Sequence, residues 1–461
     1  MENQIKKKWT VFFLIGFVDE FVIEMNNMLT DLLSVKKRDE VDIVLCINIK
    51  VDKIPPGFQR GKMTSSKKFT TLFYNIAPDG DGKNFLNLLC ENDEFEIRRQ
   101  ADVTNFFKET ILTQFLADDY ILFTWDHGQP FGIFPHKDDP QVPSQESQAL
   151  AILANRNQLF KPLLLHFRLF ELSSRLQDLP LKNKDRLPSP VQLQDDDLQM
   201  LTITELRNAI EWAFGKKKIA MVVMMNCYLQ FFDTGYELCN NVNYLVAFET
   251  EMNFRNGLDY ETLFGMLSDN PDIPPATLAK LAVSTYAIKN SKDTAGLAAT
   301  ALFANDLSWY PGLAKLIDEF ARNLTRELPR YLAQIQSALA KCKYITPNIP
   351  DYCLVDFKNF ITCLYSEAPG LFPGALYDLM NLYLDKTVLE SFKGASFYRE
   401  GEDQFISPSA FSVYFPATAR MFKSSFLADF MREDSLSPTE FVQDFYWENF
   451  IESFVFIQES H

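Results

Sequence analysis

One histidine and one cysteine stand directly after apolar segments of the sequence. His127 follows YILFTWD and precedes Gly128, and Cys227 follows IAMVVMMN. An imidazole can take the proton of a thiol and return it to a leaving amine, while the thiolate attacks a carbonyl carbon. The two residue types therefore predict nucleophilic catalysis on an acyl group, provided that the fold brings them together.

The residues that follow each side chain suit the same chemistry. Gly128 carries no side chain, so its backbone N–H is predicted to reach a substrate oxyanion, with the N–H of Cys227 as the second donor. A helix predicted over FFDTGYELC would place its positive end near the thiol and lower the thiol pKa. A structural reading stays open on these residues alone, because most buried cysteines are inert packing residues.

The first half of the chain alternates segments with strand and helix patterns. Buried strands are predicted at 9–17, 41–49, 68–76, 120–125, 219–225 and 243–249, and amphipathic helices at 21–33, 103–116 and 202–215. Such alternation predicts an α/β fold with a mostly parallel central sheet and helices on both faces. Residues just past the carboxyl ends of neighbouring parallel strands gather in one crevice. His127 and Cys227 occupy such positions.

Two parts of the chain depart from this alternation. Residues 135–197 are rich in proline and charge, which predicts an insertion with one helix at roughly 147–175 and an exposed loop. Beyond about residue 260 the pattern is largely helical, with a break or kink at Pro329 and a late strand at 410–416. We therefore predict a core over 1–260 and a mainly helical region over 261–461 packed on it.

Composition excludes several classes of protein. A net charge of −16 argues against nucleic-acid binding, which needs a basic face. The apolar run at the N-terminus is too short to span a membrane, for which about 20 residues are needed. An odd number of scattered cysteines without a CxxC motif indicates reduced thiols and a cytoplasmic location. The alternative is a secreted protein, if KKKWTVFFLIGF were a signal rather than the first buried strand.

No cofactor is predicted. Histidine is scarce, and no Cys/His cluster has the spacing of a zinc site. The carboxylates of QDDD at 194–197 are suited to calcium, but they equally suit the acidic approach to the next helix. Calcium is therefore possible, and no metal site is assigned.

Several motifs in order resemble those of the clostripain-type cysteine peptidases, which have a caspase-like fold. The opening strand carries WTV, the strand before the histidine ends in W-x-H-G, and the cysteine segment MNCYLQFFDTGYEL is similar to the family's D-A-C-L-M and E-x-A-Y-E-L. YLVAFE, NGLDYETLFGMLSDNP, CLVDFKNF and AFSVYFP resemble later family segments. The resemblance covers nearly the whole chain. It implies that Cys227 is the nucleophile and His127 the general base and acid, in a caspase-like α/β/α sandwich.

The departures from the family pattern concern the substrate pocket. Met225 stands where the family has an aspartate that contributes to a pocket for Arg or Lys, and Asn226 and Phe248 replace small residues. A thioether cannot pair with a cation, so Arg/Lys specificity is in doubt unless Glu249 or Glu251 supplies the charge. Met225, Asn226, Glu249 and Glu251 are the pocket candidates.

The sequence thus predicts a cysteine endopeptidase of bacterial type that acts on peptides or proteins through an acyl-enzyme. One alternative is an inactive relative that binds a peptide or protein partner in the same cleft. Another is a regulated protease whose site opens on processing or on binding of an activating partner protein.

Overall fold

The structure, a computed structural model, describes residues 6–16, 22–35, 40–51, 69–79, 81–135, 200–252, 257–291, 300–342, 344–345, 352–394, 408–425 and 439–458. The predicted helix at 147–175 and the QDDD segment lie outside these residues. None of the described helices is long and apolar enough to cross a membrane.

Most of the described strands belong to one sheet. Its strands are β1 (Lys7–Gly16), β2 (Val41–Lys50), β3 (Phe69–Pro78), β4 (Asn84–Asn92), β5 (Ala117–Trp125), β9 (Ile219–Met225), β10 (Val242–Phe248), β11 (Ala301–Asp306) and β13 (Val388–Lys393). Short strands form two small sheets: β6 (Gly128–Gln129), β7 (Gly132–Ile133) and β8 (Leu201–Thr202) in one, and β12 (Leu354–Asp356) and β14 (Ser412–Tyr414) in the other.

The helices follow in chain order. They are α1 (Val22–Ser34), α2 (Gln100–Asn105), α3 (Leu112–Gln114), α4 (Ile203–Phe214), α5 (Phe232–Leu238), α6 (Tyr260–Asp269), α7 (Pro275–Asn290), α8 (Tyr310–Cys342), α9 (Phe357–Glu367), α10 (Gly374–Thr387), α11 (Ala419–Ser424), α12 (Glu440–Asp444) and α13 (Trp447–Ile457). A π-helical turn over Phe106–Ile111 joins α2 to α3.

The large sheet has the order β13-β11-β10-β9-β5-β1-β2-β3-β4. The five strands from β10 to β2 are parallel to their neighbours, which confirms the predicted parallel sheet at its centre. Both edges are antiparallel: β3 and β4 on one side, β11 and β13 on the other.

Helices cover both faces of the sheet, as the strand–helix alternation predicts. Successive residues of β1 point to opposite faces: Val11, Phe13 and Ile15 join one core, and Phe12 and Leu14 join the other. The first core contains α1, α6 and α7, and the second contains α4, α5 and most of the C-terminal helices. Burial on both faces explains why the central strands are almost continuously apolar.

Local signals in the sequence fix several element boundaries. The Thr202 hydroxyl accepts the N–H of Glu205, and the Glu205 carboxylate accepts the N–H of Thr202, so α4 begins with the predicted capping box. Gly215 ends the same helix at a φ of 59°. The predicted break at Pro329 is a kink, since Tyr331 in α8 has a φ of −117° and a ψ of 16°.

Three strands of the large sheet were not predicted from the sequence: β4, β11 and β13. The last two lie beyond residue 260 and complete one edge of the sheet, so the sheet extends past the predicted boundary of the core. The apolar N-terminal run is β1, hydrogen-bonded to β2 and β5 on its two sides. Removal of this run as a signal peptide would delete a central strand.

Candidate active site

The histidine and the cysteine stand at equivalent positions past two paired strands. β5 and β9 are parallel neighbours, and their last register pair is Trp125 with Met225. His127 and Cys227 are each the second residue after that pair. The topology therefore brings both residues to the same edge of the sheet, on adjacent chain segments.

The close approach of these segments explains the glycine after the histidine. A Cβ on Gly128 would lie 2.5 Å from the carbonyl oxygen of Cys227, 2.9 Å from its nitrogen and 2.7 Å from the Cβ of Asn226. The φ of Gly128 is not positive, so the requirement is for space rather than for an unusual backbone conformation. Any larger residue at this position would push the two strand ends apart.

Both side chains of the pair retain some exposure while their neighbours are buried. His127 and Cys227 are half-buried, whereas Asp126, Met225 and Asn226 are at most 3% exposed. Cys227 contacts both cores, as expected for a residue at the end of a sheet covered on both faces. A reagent that reaches this edge therefore meets an imidazole and a thiol.

A segment after β10 lies beside the thiol. The N–H of Met252 donates to Sγ of Cys227 at 3.3 Å, and the N–H of Tyr228 donates to the carbonyl oxygen of Thr250 at 3.2 Å. The Tyr228 hydroxyl donates to the carboxylate of Glu251 at 2.7 Å. Residues 250–252 thus lie against one side of Cys227 and Tyr228.

The backbone is strained directly after the cysteine. Tyr228 has a φ of 62°, a left-handed conformation that is costly for a residue with a large side chain. Its ring contacts Tyr352 edge-on at 5.5 Å, and burial and the Glu251 carboxylate both raise the pKa of its phenol. These contacts hold Tyr228 in a conformation that turns the chain sharply after Cys227.

Two of the pocket candidates, Met225 and Asn226, are fully buried. Met225 is the last residue of β9 and packs in the core with α1 and α6. The Asn226 amide donates to the carbonyl oxygens of Asp126 and His127, at 3.0 Å each, and its oxygen accepts the Thr124 hydroxyl at 2.6 Å. In this conformation neither side chain is open to a substrate.

Glu249 is also fully buried, and its Oε2 accepts the N–H of Ala410 at 2.7 Å. Burial, and then the neighbouring Asp356 carboxyl, raise the pKa of Glu249 well above its usual range. Asp356 is buried too, and its carboxyl group accepts hydrogen bonds from Ser409 and Asn359. Glu249 therefore ties the end of β10 to the C-terminal half of the chain.

Glu251 is the exposed member of the four pocket candidates. Its carboxylate is within hydrogen-bond distance of Tyr228, which directly follows Cys227. Of these four residues, Glu251 is the one placed to meet a cationic group from solvent.

No helix begins directly after Cys227 in the described part of the chain, as a dipole effect on its thiol would require. The predicted helix over FFDTGYELC exists, but α5 begins at Phe232, five residues after Cys227. The dipole effect falls off within the first helical turn. The start of α5 is therefore too far from Cys227 to act on its thiol. Among the described residues, no group of three or more His, Cys, Asp or Glu side chains could hold a metal ion.

Sequence reasoning missed Thr124 and Asp126 as part of this region. Asp126 is buried, its Oδ1 accepts the N–H of His127 at 2.5 Å, and its other carboxyl oxygen would clash with a Cβ on Gly16. Thr124 lies in the buried half of β5 and Asp126 directly follows that strand, and polar residues next to this apolar run were the available signal. Nothing in the sequence marked Met252.

Comparison with known proteins gives one family and several related structures. The sequence model of the clostripain family matches residues 184–454, which include Cys227 but not His127. No curated protein sequence matches the chain.

Among solved structures, a secreted C11 cysteine protease from Bacteroides thetaiotaomicron is 14% identical with a TM-score of 0.53, over 97% of this chain and 99% of that one. A secreted C11 cysteine protease from Bacteroides thetaiotaomicron in complex with an irreversible peptide inhibitor gives 13% identity and a TM-score of 0.54, over 98% of each chain. An inactive zymogen C11 protease from Parabacteroides distasonis gives 13% identity and a TM-score of 0.55, over 97% of this chain and 99% of that one. At these identities the structures are evidence of a shared fold, which is that of C11 proteases.

Proposed function

The chain belongs to the clostripain family, and from that premise we propose that it is a cysteine endopeptidase that uses Cys227 and His127. The observation that carries the proposal is the contact between the backbones of Gly128 and Cys227. That contact leaves no room for a Cβ on Gly128, so the residues that follow β5 and β9 pack directly against each other. A thiol and an imidazole at this edge are suited to acyl transfer.

In the proposed reaction, the His127 imidazole takes the thiol proton as Cys227 Sγ attacks the carbonyl carbon of a peptide bond. The C–N bond then breaks, and the imidazolium returns its proton to the leaving amine. The acyl group remains on Sγ as a thioester. His127 next takes a proton from a water molecule, whose oxygen attacks the thioester and releases the new carboxyl end and the free thiol.

The negative charge of each tetrahedral intermediate needs hydrogen-bond donors. We assign this role to the backbone N–H groups of Gly128 and Cys227, which belong to the two segments in closest contact. Fixed donors of this kind typically contribute about 10²–10³ in rate, because they are already oriented toward the developing oxyanion.

The residue accepted before the scissile bond is expected to differ from Arg or Lys unless Glu251 provides the charge. Met225 is neutral and buried, and Glu249 is fully buried with a raised pKa, so neither side chain is placed to pair with a substrate cation. Glu251 is exposed and beside Tyr228. A screen of substrates must therefore leave this position unrestricted.

The test is hydrolysis of an internally quenched peptide library, with the cleaved bonds identified by mass spectrometry. We expect internal cleavage by the unmodified chain and its loss in both Cys227→Ala and His127→Ala. Cys239→Ala is the matched control, because Cys239 is a buried thiol whose pKa burial raises to about 12. Full hydrolysis by Cys227→Ala would refute the assignment.

A second candidate is an inactive relative that binds a peptide in the same cleft. The hydrogen bond from the Met252 N–H to Sγ favours it, because this contact engages the thiol and narrows its surroundings. Library peptides that bind the unmodified chain and Cys227→Ala equally well, and that neither protein cleaves, would identify this function.

The partner that this function implies is a peptide or protein substrate, in keeping with the peptide inhibitor bound to the Bacteroides neighbour. That neighbour is described as secreted, which favours secretion of this chain by a route that keeps β1, whereas the cytoplasmic prediction gains no support from the comparisons. Immunodetection in the medium and in washed cells that produce the full chain would distinguish the two locations.

A further inference from the structure

Asn226 connects the cysteine's segment to the histidine's segment by its side chain. It lies between β9 and Cys227, and its side chain has no exposed surface. All three of its hydrogen-bond partners belong to the other segment: Thr124 in β5, and Asp126 and His127 just after it.

These bonds fix the orientation of the amide. Nδ2 donates to two carbonyl oxygens, and Oδ1 accepts from a hydroxyl group. A reversed amide would place Oδ1 against the two carbonyl oxygens, and none of these three atoms can donate. The amide therefore has one favourable orientation, which the two carbonyl oxygens select and in which Oδ1 accepts the Thr124 hydroxyl.

The two carbonyls belong to the two peptide groups on either side of His127. The carbonyl of Asp126 is in the peptide bond before this residue, and the carbonyl of His127 is in the peptide bond after it. The Asp126 N–H donates a long hydrogen bond to the Met225 carbonyl oxygen, at 3.4 Å. Directly after it, the Asn226 side chain adds two donors from the segment of Cys227 to the segment of His127.

We propose that Asn226 is a positioning residue, which fixes the backbone of His127 relative to Cys227 and so sets the approach of imidazole to thiol. The inference rests on the proposed function, since it assumes that these two side chains cooperate. It predicts that loss of the Asn226 amide alters the reactivity of the Cys227 thiol, although the three hydrogen bonds of this amide go to Thr124, Asp126 and His127. Misplacement by about 1 Å at such a site costs on the order of 10²-fold in rate.

The probe is iodoacetamide, and the readout is the alkylation rate of Cys227 against pH, followed on the peptide that contains it. A thiol paired with an imidazole reacts well below the range of a free thiol, whose pKa is about 8.5. We expect Asn226→Ala to move the profile of Cys227 toward higher pH, in the direction of His127→Ala.

Asn290→Ala is the matched control. Asn290 is also fully buried, and its Nδ2 donates to the carbonyl oxygens of Gly257 at 3.0 Å and Tyr286 at 2.9 Å. It therefore loses the same kind of bonds away from the proposed site. We expect it to lower the melting temperature but to leave the Cys227 profile unchanged.

A double variant tests whether Asn226 acts through the histidine. We expect His127→Ala with Asn226→Ala to match His127→Ala alone within about twofold, because interacting residues give non-additive effects. If Asn226→Ala does not fold, Thr124→Val gives the same test: it removes one hydroxyl without changing the shape of the side chain, and we expect a smaller shift in the same direction.

The outcomes separate this inference from the function on which it rests. If His127→Ala shifts the profile and a folded Asn226→Ala or Thr124→Val does not, the positioning role is refuted and the dyad stands. If His127→Ala leaves the profile unchanged, the dyad fails and the positioning role fails with it.

Discussion

The replacement of Gly128 by alanine is the sharpest test of how tightly the two strand ends pack. The added methyl group would lie 2.5 Å from the Cys227 carbonyl oxygen, whereas ordinary contacts begin at 3.4 Å. The obstructing atoms belong to the backbone of Cys227 and to the Cβ of Asn226, so no side-chain rotation relieves the clash. The segments that carry His127 and Cys227 must separate by about 0.9 Å.

That separation determines how large a loss of activity we expect. A displacement of about 1 Å between reacting groups costs roughly 10²-fold in rate, equivalent to about 2.7 kcal/mol of barrier. An overpacked site typically loses about 1–3 kcal/mol of folding stability as well. We therefore expect a protein that is folded at 25 °C, has a lower melting temperature, and has a kcat/KM about 100 times lower.

The assay compares Gly128→Ala with Gly132→Ala. Gly132 lies in β7, opposite Gln129 in the same small sheet, and a Cβ there first meets the sulfur and Cγ of Met200. These two atoms belong to a flexible side chain that can move away, and the nearest backbone atom, the Leu201 carbonyl oxygen, lies at 3.1 Å rather than 2.5 Å. We expect Gly132→Ala to retain activity within a few-fold. A Gly128→Ala variant with unchanged kcat/KM would show that the observed contact does not position the pair.

Three further predictions concern stability and specificity. Burial raises the pKa of Asp233 from 3.8 to about 7. Between these two values the folded state holds a proton that the unfolded state has lost. The contribution of Asp233 to folding stability is therefore fully present below about pH 4, falls as the pH rises, and is lost above about pH 7. Asp233→Asn keeps an oxygen for the Thr439 hydroxyl, and we expect thermal unfolding to show up to about 4 kcal/mol more stability at pH 8 and little change at pH 4; no gain at pH 8 would contradict this. Gly235→Ala in α5 places a methyl group 2.2 Å from the Tyr310 ring and should lower the free energy of unfolding by about 1–3 kcal/mol. In Gly265→Ala in α6 the methyl group meets nothing within 4 Å, and the free energy of unfolding should rise by about 0.5–1 kcal/mol. Denaturant unfolding of both variants measures this difference, and equal effects would refute the packing argument. Glu251→Gln should lower kcat/KM for peptides with Arg or Lys before the scissile bond relative to neutral ones, if Glu251 supplies the pocket charge; an unchanged ratio removes Glu251 from that role.

The sequence was sufficient for the centre of the fold. Each strand from β10 to β2 contains a mainly apolar run, and such runs separated by amphipathic helices have few alternatives to a parallel sheet. The Thr202–Glu205 capping box and Gly215 marked both ends of α4, because these signals act through neighbouring residues. The edges could not be predicted in the same way. β4 is only partly buried and carries polar residues, and β13 pairs with a strand that lies 80 or more residues earlier in the chain.

The candidate site was predictable in its reactive residues and not in its supports. His127 and Cys227 could be identified because each follows an apolar strand, and the register of β5 and β9 places both two residues past the last pair. The sequence predicts that the missing side chain of Gly128 leaves room for a substrate atom. The structure adds that it also leaves room for the Cys227 backbone. The sequence predicts Asn226 and Glu249 as pocket residues, but both are buried and hydrogen-bonded to segments that are distant in sequence. Such partners cannot be identified from local patterns.

The central claim is that one imidazole activates one thiol at the shared edge of β5 and β9. Its most direct test is the site of labelling by a peptidyl electrophile whose residue before the reactive group is varied. Six other free cysteines provide an internal control, of which Cys90 is exposed and Cys363 is half-buried.

We predict one label per molecule, located at Cys227, with a rate that falls by at least about 10²-fold in His127→Ala. Labelling that is spread over Cys90, Cys363 and Cys227, or that is unaffected by His127→Ala, would contradict the account.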